Sequence, residues 1–305
     1  MALKTIGELT GKTDSESNTD SMWINAPAKI NIGLDVVGER EDGYHEVRMI
    51  MQSIRLFDRL TLTRKKDPGV RLTTNLKFLP TDENNLIVKC AKLLLKEFEP
   101  GGGLTINLEK RIPVAAGLAG GSTDAASTMI AINQMYGLNL SNSQLMKRAV
   151  KIGADIPYCI MKGTALAEGI GEKLSTIPKL PNCNILIVKP KIHVSTREIY
   201  SNLVLDENTV HPDIDRMIED MKNRKLKDLC EHMGNILESV TIPAHPEIAE
   251  IKEFMLQNGA LGSLMSGSGP TVFGIYDDKD AAMRAKTAAL EKFDKSFAFV
   301  TDLYR

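Results

Sequence analysis

The chain has 305 residues, enough for one large or two ordinary domains. Hydrophobic residues make up 43% and charged residues 25%, the balance of a soluble globular protein, and a formal net charge of -1 excludes the broad basic field that nucleic acid or an anionic membrane surface requires. No apolar run approaches the roughly 18 residues of a membrane helix. Cys90, Cys159, Cys183 and Cys230 are scattered, form no C-x-x-C pair, and read as reduced thiols of a cytoplasmic protein. The histidines lack zinc-like spacing.

Residues 1–21 stand apart. Gly11 to Ser21 is rich in Ser, Thr, Asp and Asn, and it lacks the apolar stretch of a signal peptide. It reads either as a vector-derived leader before Met22 or as a native disordered arm. From Met22 onward no long linker and no internal repeat is visible. Ile30, Ile32, Leu34 and Val36 alternate with Asn31, Gly33 and Asp35, which predicts a half-buried strand with Lys29 and Asn31 on its polar face. A second strand is expected near Val47 to Leu62, beyond a break at Gly43. Leu86, Cys90, Leu93 and Leu94 are spaced for a helix from Leu86 to Phe98. Leu104, Ile106 and Leu108 alternate as a strand.

A glycine-rich turn follows, then an apolar helix to about Tyr136 with Gly137 as its stop. Ser141 and Gln144 form a capping-box pattern that opens a helix ending near Gly153. In the second half, Ile185 to Val188 reads as a short buried strand and Ser195 with Glu198 as another capping box. Pro212 to Asn258 reads as mostly helical, with Pro246 in a first helical turn. Leu261 to Met265 and Thr271 to Tyr276 read as strands around a glycine turn. A helix over Lys279 to Lys292 and a strand over Phe297 to Leu303 close the chain. Hairpin-like pairs are frequent, which favours two α+β domains over a doubly wound parallel sheet.

The densest chemical signal is Pro113-Val114-Ala115-Ala116-Gly117-Leu118-Ala119-Gly120-Gly121-Ser122-Thr123-Asp124. Small residues leave backbone N–H groups open, and a helix begins with its positive dipole end at the turn, an arrangement suited to a triphosphate. Ser122 and Thr123 add hydroxyls that could reach phosphate oxygens or a bound Mg²⁺. A tight strand-to-helix connection explains the glycines equally well. The run is not a Walker A loop, since no Lys-Ser/Thr pair follows Gly121, and it lacks the G-x-G-x-x-G spacing of a dinucleotide fold.

The turn resembles the phosphate loop of the GHMP kinases. Two further stretches fit that superfamily in the same order: Ala26-Pro27-Ala28-Lys29-Ile30-Asn31-Ile32, and Ser266-Gly267-Ser268-Gly269-Pro270-Thr271. Gly38 to Glu46, Asn85-Leu86-Ile87-Val88 and Gly153-Ala154-Asp155-Ile156-Pro157 are similar to the branch that phosphorylates 4-diphosphocytidyl-2-C-methyl-D-erythritol in the non-mevalonate isoprenoid route. The likeness covers roughly Trp23 to Leu303. Ala119 and Thr123 depart from the glycine and serine common at those positions.

The resemblance implies a two-domain GHMP kinase fold with the active site in the cleft between domains, divided as 22–160, which binds ATP, and 161–305. It implies ATP and Mg²⁺ as cosubstrate and ion, with no dedicated metal cage. Lys29 is placed by it near the γ-phosphate and the acceptor hydroxyl, and Asp155 becomes the catalytic carboxylate; a surface lysine and an Asx-turn aspartate are the plainer readings. Asn85 matches a residue near adenine, or simply caps a helix. Tyr44 and His45 line the cytidine pocket, Asn31 contacts the methylerythritol end, and Tyr200 covers the base from the other domain or packs as an ordinary helix residue. Gly267, Ser268 and Gly269 approach the phosphates or the acceptor. The implied partners are ATP and a cytidine diphosphate sugar-alcohol, with no nucleic acid or membrane, and the chain is expected to be a monomer or weak homodimer. Two alternatives stay open: a kinase of this fold for another alcohol such as homoserine or mevalonate, and a non-catalytic ligand-binding relative.

Overall fold

The computed structural model describes residues 10–12 and 21–305. The leader reading over residues 1–21 lies almost entirely outside the described residues; within it, Thr10–Lys12 forms a short strand, β1, antiparallel to Met22–Ile24. Two compact units make up the chain. One takes residues up to Ala28, Leu56–Ile112 and Ala119–Met161, and the other takes Lys29–Arg55, Pro113–Leu118 and Lys162–Arg305. The units interleave along the sequence rather than dividing at one cut, because two long strands each contribute one half to each unit: β2 (Ser21–Glu39) and β3 (His45–Lys65).

In the first unit, β3 pairs antiparallel with β5 (Gly103–Glu109), and β4 (Gly69–Thr74) pairs parallel with β5. β4 has no clear signature in the sequence, since six residues are too few for a decisive alternation. α1 (Leu86–Phe98) has the expected bounds. Its buried face runs through Ile87, Val88, Cys90, Ala91 and Leu94, while Leu86 and Leu93 are only half-buried. α2 (Gly120–Met135) is buried around much of its circumference, from Thr123 to Met129 and at Ala131 and Ile132, which its small residues permit. α3 (Asn142–Ala149) opens on the full Ser141–Gln144 capping box and stops four residues before Gly153. α4 (Ile156–Met161) follows at once, with Pro157 in its first turn.

In the second unit, β6 (Thr164–Gly169) pairs antiparallel with Val47–Gln52 of β3 and with β7 (Lys173–Thr176). Then come β8 (Asn184–Lys189), α5 (Thr196–Ser201), α6 (Ile214–Lys222), α7 (Leu226–His232), α8 (Glu238–Ala244), α9 (Glu247–Gln257), β9 (Gly262–Met265), β10 (Val272–Tyr276), α10 (Lys279–Lys292) and β11 (Phe297–Asp302). The last four strands form an antiparallel sheet in the order β11-β8-β10-β9. Ile185–Val188 and Val272–Tyr276 are buried throughout, so this sheet is the core of its unit. Ser195 supplies only half of its expected capping box: its side chain accepts from Glu198 N at 3.4 Å.

β2 corrects one expectation. From Ala26 to Val36 it is buried on both faces, not one. Its polar face carries Lys29 and Asn31 inward at 5% and 0% exposure, and a Cβ on Gly33 would press into Met217 and Ile214 of α6. All four cysteines are buried thiols outside any disulfide, and burial pushes those of Cys90, Cys183 and Cys230 up to about 12. No helix of the described residues is long and apolar enough to cross a membrane.

The β4–β5 pair depends on a residue without a side chain. A Cβ on Gly103 would overlap the carbonyl oxygen of Gly69 and lie 2.5 Å from that of Asp67. Gly103→Ala is therefore expected to lower stability by about 1–3 kcal/mol, read as a lower midpoint in thermal unfolding.

Candidate active site

The second unit gathers three stretches that are far apart in sequence. Lys29 and Asn31 share a face of β2, and the Lys29 ammonium donates to Asn31 Oδ1 at 2.6 Å and to the Gly117 carbonyl at 3.0 Å. The backbone N–H of Lys29 donates to the Leu118 carbonyl at 3.1 Å, which fastens the glycine turn along the strand. Ser266 Oγ donates to the same Gly117 carbonyl at 3.0 Å. Gly117 has φ +70, and a Cβ there would overlap the Ser266 carbonyl oxygen, so both conformation and space require glycine. Gly267 and Gly269 also have positive φ, at +59 and +90, and Ser268 Oγ lies 2.8 Å from Thr196 Oγ1. The buried Lys29 ammonium thus joins β2 to the turn at the carbonyl that the Ser266–Gly269 loop also reaches.

The aromatic candidates are also in this unit. The rings of His45 and Tyr200 lie 5.1 Å apart at 50°. Tyr44 is 58% exposed on the turn before β3, where its N–H donates to Asp42 Oδ1 at 3.2 Å. The structure therefore joins His45 to Tyr200 and leaves the Tyr44 ring at the surface.

In the first unit, α2 begins without a side-chain cap and without an acidic residue in its first turn. Its leading N–H groups have no carbonyl one turn back, and they carry the positive end of the helix dipole. A Cβ on Gly121 would meet nothing nearer than Leu86 Cδ1 at 3.8 Å, so this end is open. Ala115 is exposed, Pro113, Val114 and Ser122 are half-buried, and Ala116 and Leu118 point into the core. Any contact of Ala116 or Leu118 with a nucleotide would run through backbone. Thr123 is fully buried, and its hydroxyl has no hydrogen-bond partner among the described residues. Asn85 is held by the start of α1: Oδ1 accepts from Ile87 N at 2.9 Å and Nδ2 donates to Pro80 O at 2.8 Å. Asp155 is half-buried at the start of α4, and its carbonyl accepts from Cys159 N at 3.1 Å. Among the described residues, no group of three or more His, Cys, Asp or Glu side chains is placed to hold a metal ion.

The chain matches the family models described as GHMP kinases N terminal domain, over residues 85–163, and GHMP kinases C terminal, over residues 217–295. It is 53% identical over 266 residues to a 4-diphosphocytidyl-2-C-methyl-D-erythritol kinase of Lachnoclostridium phytofermentans, covering 87% of this chain and 91% of that one. The chain belongs to the 4-diphosphocytidyl-2-C-methyl-D-erythritol kinase family, within the GHMP kinases. A crystal structure of a 4-(cytidine 5'-diphospho)-2C-methyl-D-erythritol kinase superposes with a TM-score of 0.79 at 32% identity, over 93% of this chain and 100% of that one. A homoserine kinase from Cytophaga hutchinsonii superposes with a TM-score of 0.78 at 22% identity, over 96% of this chain and 98% of that one, a likeness of fold.

Sequence reasoning missed a charged cluster in the first unit of this GHMP kinase, beside the start of α2. Lys110, just before the turn, donates its ammonium to Asp58 of β3 and to Asp124 of α2, the latter at 2.8 Å. Asp58 also accepts from the backbone N–H groups of Arg111 and Ile112, at 2.5 and 2.8 Å. All three charged side chains are buried. Gly120 lies against this cluster, since a Cβ there would come within 2.8 Å of Lys110 Nζ. Gly120 is thus required by packing, whereas Gly121 is not. The one hint in the sequence is a lysine and two aspartates set next to apolar runs, which nothing short of the fold brings together.

Burial, against the opposing pull of the Lys110 ammonium, raises the Asp124 carboxyl well above the usual carboxylate range. The folded chain therefore keeps a proton that the unfolded chain releases near pH 4, and stability falls as pH rises above about 4 toward the folded value. Asp124→Asn should flatten this loss, which thermal unfolding of both proteins between pH 4 and 8 will measure.

Proposed function

We propose that this chain transfers the γ-phosphoryl group of ATP to the 2-hydroxyl of 4-diphosphocytidyl-2-C-methyl-D-erythritol, as a cytoplasmic enzyme of non-mevalonate isoprenoid synthesis. The observation that carries this reading is the buried Lys29 ammonium, aimed by Asn31 and the Gly117 carbonyl where β2 meets the turn and the Ser266–Gly269 loop. Lys29 offsets the charge on the transferring phosphoryl group. Asp155 orients the acceptor hydroxyl and accepts its proton as the new O–P bond forms and the bond to the ADP oxygen breaks. A carboxylate is a weak base for an alcohol, so proton transfer comes late and positioning matters most.

The uncapped start of α2, with Gly120, Gly121, Ser122 and Thr123, cradles the phosphates. Mg²⁺, when bound, spreads the phosphate charge, and the partnerless Thr123 hydroxyl with Ser122 is the protein group that would hold it, the nucleotide supplying the rest. Asn85, which already caps α1, offers only its remaining lone pairs and N–H to adenine. Asn31 serves the methylerythritol end. The cytosine ring is served by His45 and Tyr200, with Tyr44 added from the surface. Homoserine and mevalonate have no ring for these aromatics to stack on, so the paired rings favour the nucleotide acceptor.

An ATP-consumption assay with the cytidine diphosphate substrate, mevalonate and homoserine tests the assignment: turnover is expected with the first alone. Lys29→Ala and Asp155→Asn should each lower kcat by about 10²-fold or more while leaving ATP affinity nearly intact. Near-normal turnover by folded Asp155→Asn would remove that residue from the mechanism.

Ring stacking contributes about 0.5–1.5 kcal/mol, a factor of about 2 to 13, so it cannot by itself select the base. Hydrogen bonds at the base edge must supply the rest. Tyr200→Ala, which strips His45 of its ring partner, is expected to raise the KM for the cytidine acceptor more than Tyr44→Ala does. Wild type should prefer the cytidine compound over its uridine analogue, and equal use of both would place the base elsewhere.

A further inference from the structure

The Ser266–Gly269 loop is gripped by a stretch that belongs to none of the motifs read from the sequence. Asn235 is buried, and its amide is fully engaged in recognising backbone. Nδ2 donates to the carbonyls of Met265 at 2.9 Å and Gly267 at 2.8 Å, while Oδ1 accepts from Leu237 N at 3.0 Å. Glu238, three residues on, accepts from Met265 N at 2.8 Å and is itself braced by Lys252 at 2.5 Å. Thr241, three further, lies with its hydroxyl 3.4 Å from the Ser268 carbonyl while it donates to Leu237 O at 2.9 Å. The loop backbone is thus held at successive residues by one short segment.

That segment is fastened to the strand that carries Lys29. Leu34 N donates to Gly234 O at 2.9 Å and Ile236 N donates to Leu34 O at 3.0 Å, on either side of Asn235. The path closes on the other side, where Ser266 Oγ and Lys29 Nζ both donate to the Gly117 carbonyl at 3.0 Å. A shift of the loop would move Ser266, rotate the Gly117 carbonyl and redirect the ammonium.

We propose that Asn235, assisted by Glu238 and Thr241, is a positioning residue for phosphoryl transfer, which aims Lys29 by fixing the Ser266–Ser268 backbone against Gly117. This rests on the phosphoryl-transfer role given to Lys29 above. A misplacement on the order of 1 Å costs about 10²-fold in rate, so so small a clamp is enough to matter. A residue that served stability alone would lower the melting temperature and leave kcat of the folded fraction unchanged.

Asn235→Asp is the sharpest variant, since it keeps the shape and the acceptor for Leu237 N but turns a carboxylate oxygen toward two carbonyls. In folded Asn235→Asp, kcat should fall by about tenfold or more, with the KM for ATP within about threefold of wild type. Wild-type kcat in the folded variant overturns the proposal. If that variant does not fold, Thr241→Val and Glu238→Gln carry the test, and retention of full kcat by both overturns it as well. Hydrogen exchange supplies a readout that needs no acceptor. Lys29 N, bonded to Leu118 O, and Gly269 N, bonded to Ser266 O at 3.0 Å, should exchange faster in the variant. Unchanged exchange at Lys29 overturns the coupling whichever alcohol is phosphorylated. Failure of wild type on the cytidine acceptor alone counts against the acceptor assignment, and the exchange result then decides this proposal.

Discussion

One carbonyl group, that of Gly117, organises the second unit. It accepts from the ammonium of Lys29 and from the hydroxyl of Ser266, so strand, turn and loop share one acceptor. The sharing is possible only because Gly117 has no side chain and sits at φ +70, where other L residues are strained and where any Cβ would strike the Ser266 carbonyl. A buried ammonium is tolerated when its hydrogen bonds are satisfied, and oxygens of the protein supply that here. The three short motifs are therefore not independent signatures. Each is the composition that one hydrogen-bonded junction demands.

The first unit solves a different problem, that of beginning a helix whose N-terminus carries no side-chain cap. Ala119 occupies the left-handed region at φ 53 at the head of α2. Such a conformation costs about 1–2 kcal/mol for a residue with a Cβ. The Lys110–Asp58–Asp124 cluster ties β3, the residue after β5 and the second turn of α2 together. Removing Lys110 would leave the buried carboxyl groups of Asp58 and Asp124 without the donor they share. Alanine is accepted in this left-handed geometry, at a conformational cost, because its methyl group is small.

The loop after β9 shows how rigidity is obtained without regular structure. Ser266 to Gly269 has the positive φ angles and small side chains of a flexible turn, yet its carbonyls and the flanking N–H of Met265 are bound by Asn235, Glu238 and Thr241. A loop rich in glycine can approach another backbone closely, and the cost of that freedom is offset by side chains from elsewhere that saturate its polar groups.

By itself the sequence determined the elements whose signals are local. α1 and α10 have the bounds read from the sequence, and in the structure Asn85 and Asp278 accept from their first-turn N–H groups. The capping box at Ser141, the alternation of β2 and β5, and the three short motifs were legible for the same reason, since each is written in residues a few positions apart. Only the tertiary structure decided the rest. β4, β6 and β7 were not read from the sequence; β4 pairs with β5 and β6 with β3, far along the chain, while β7 pairs with its neighbour β6. The burial of the polar face of β2 depends on α6 and the glycine turn, which arrive from far along the chain. Lys110 meets Asp58 across 52 positions, and Asn235 meets Gly267 across 32. Hydrogen bonds between groups so separated leave no periodicity in the sequence, because their partners are chosen by the fold in three dimensions and not by spacing along the chain.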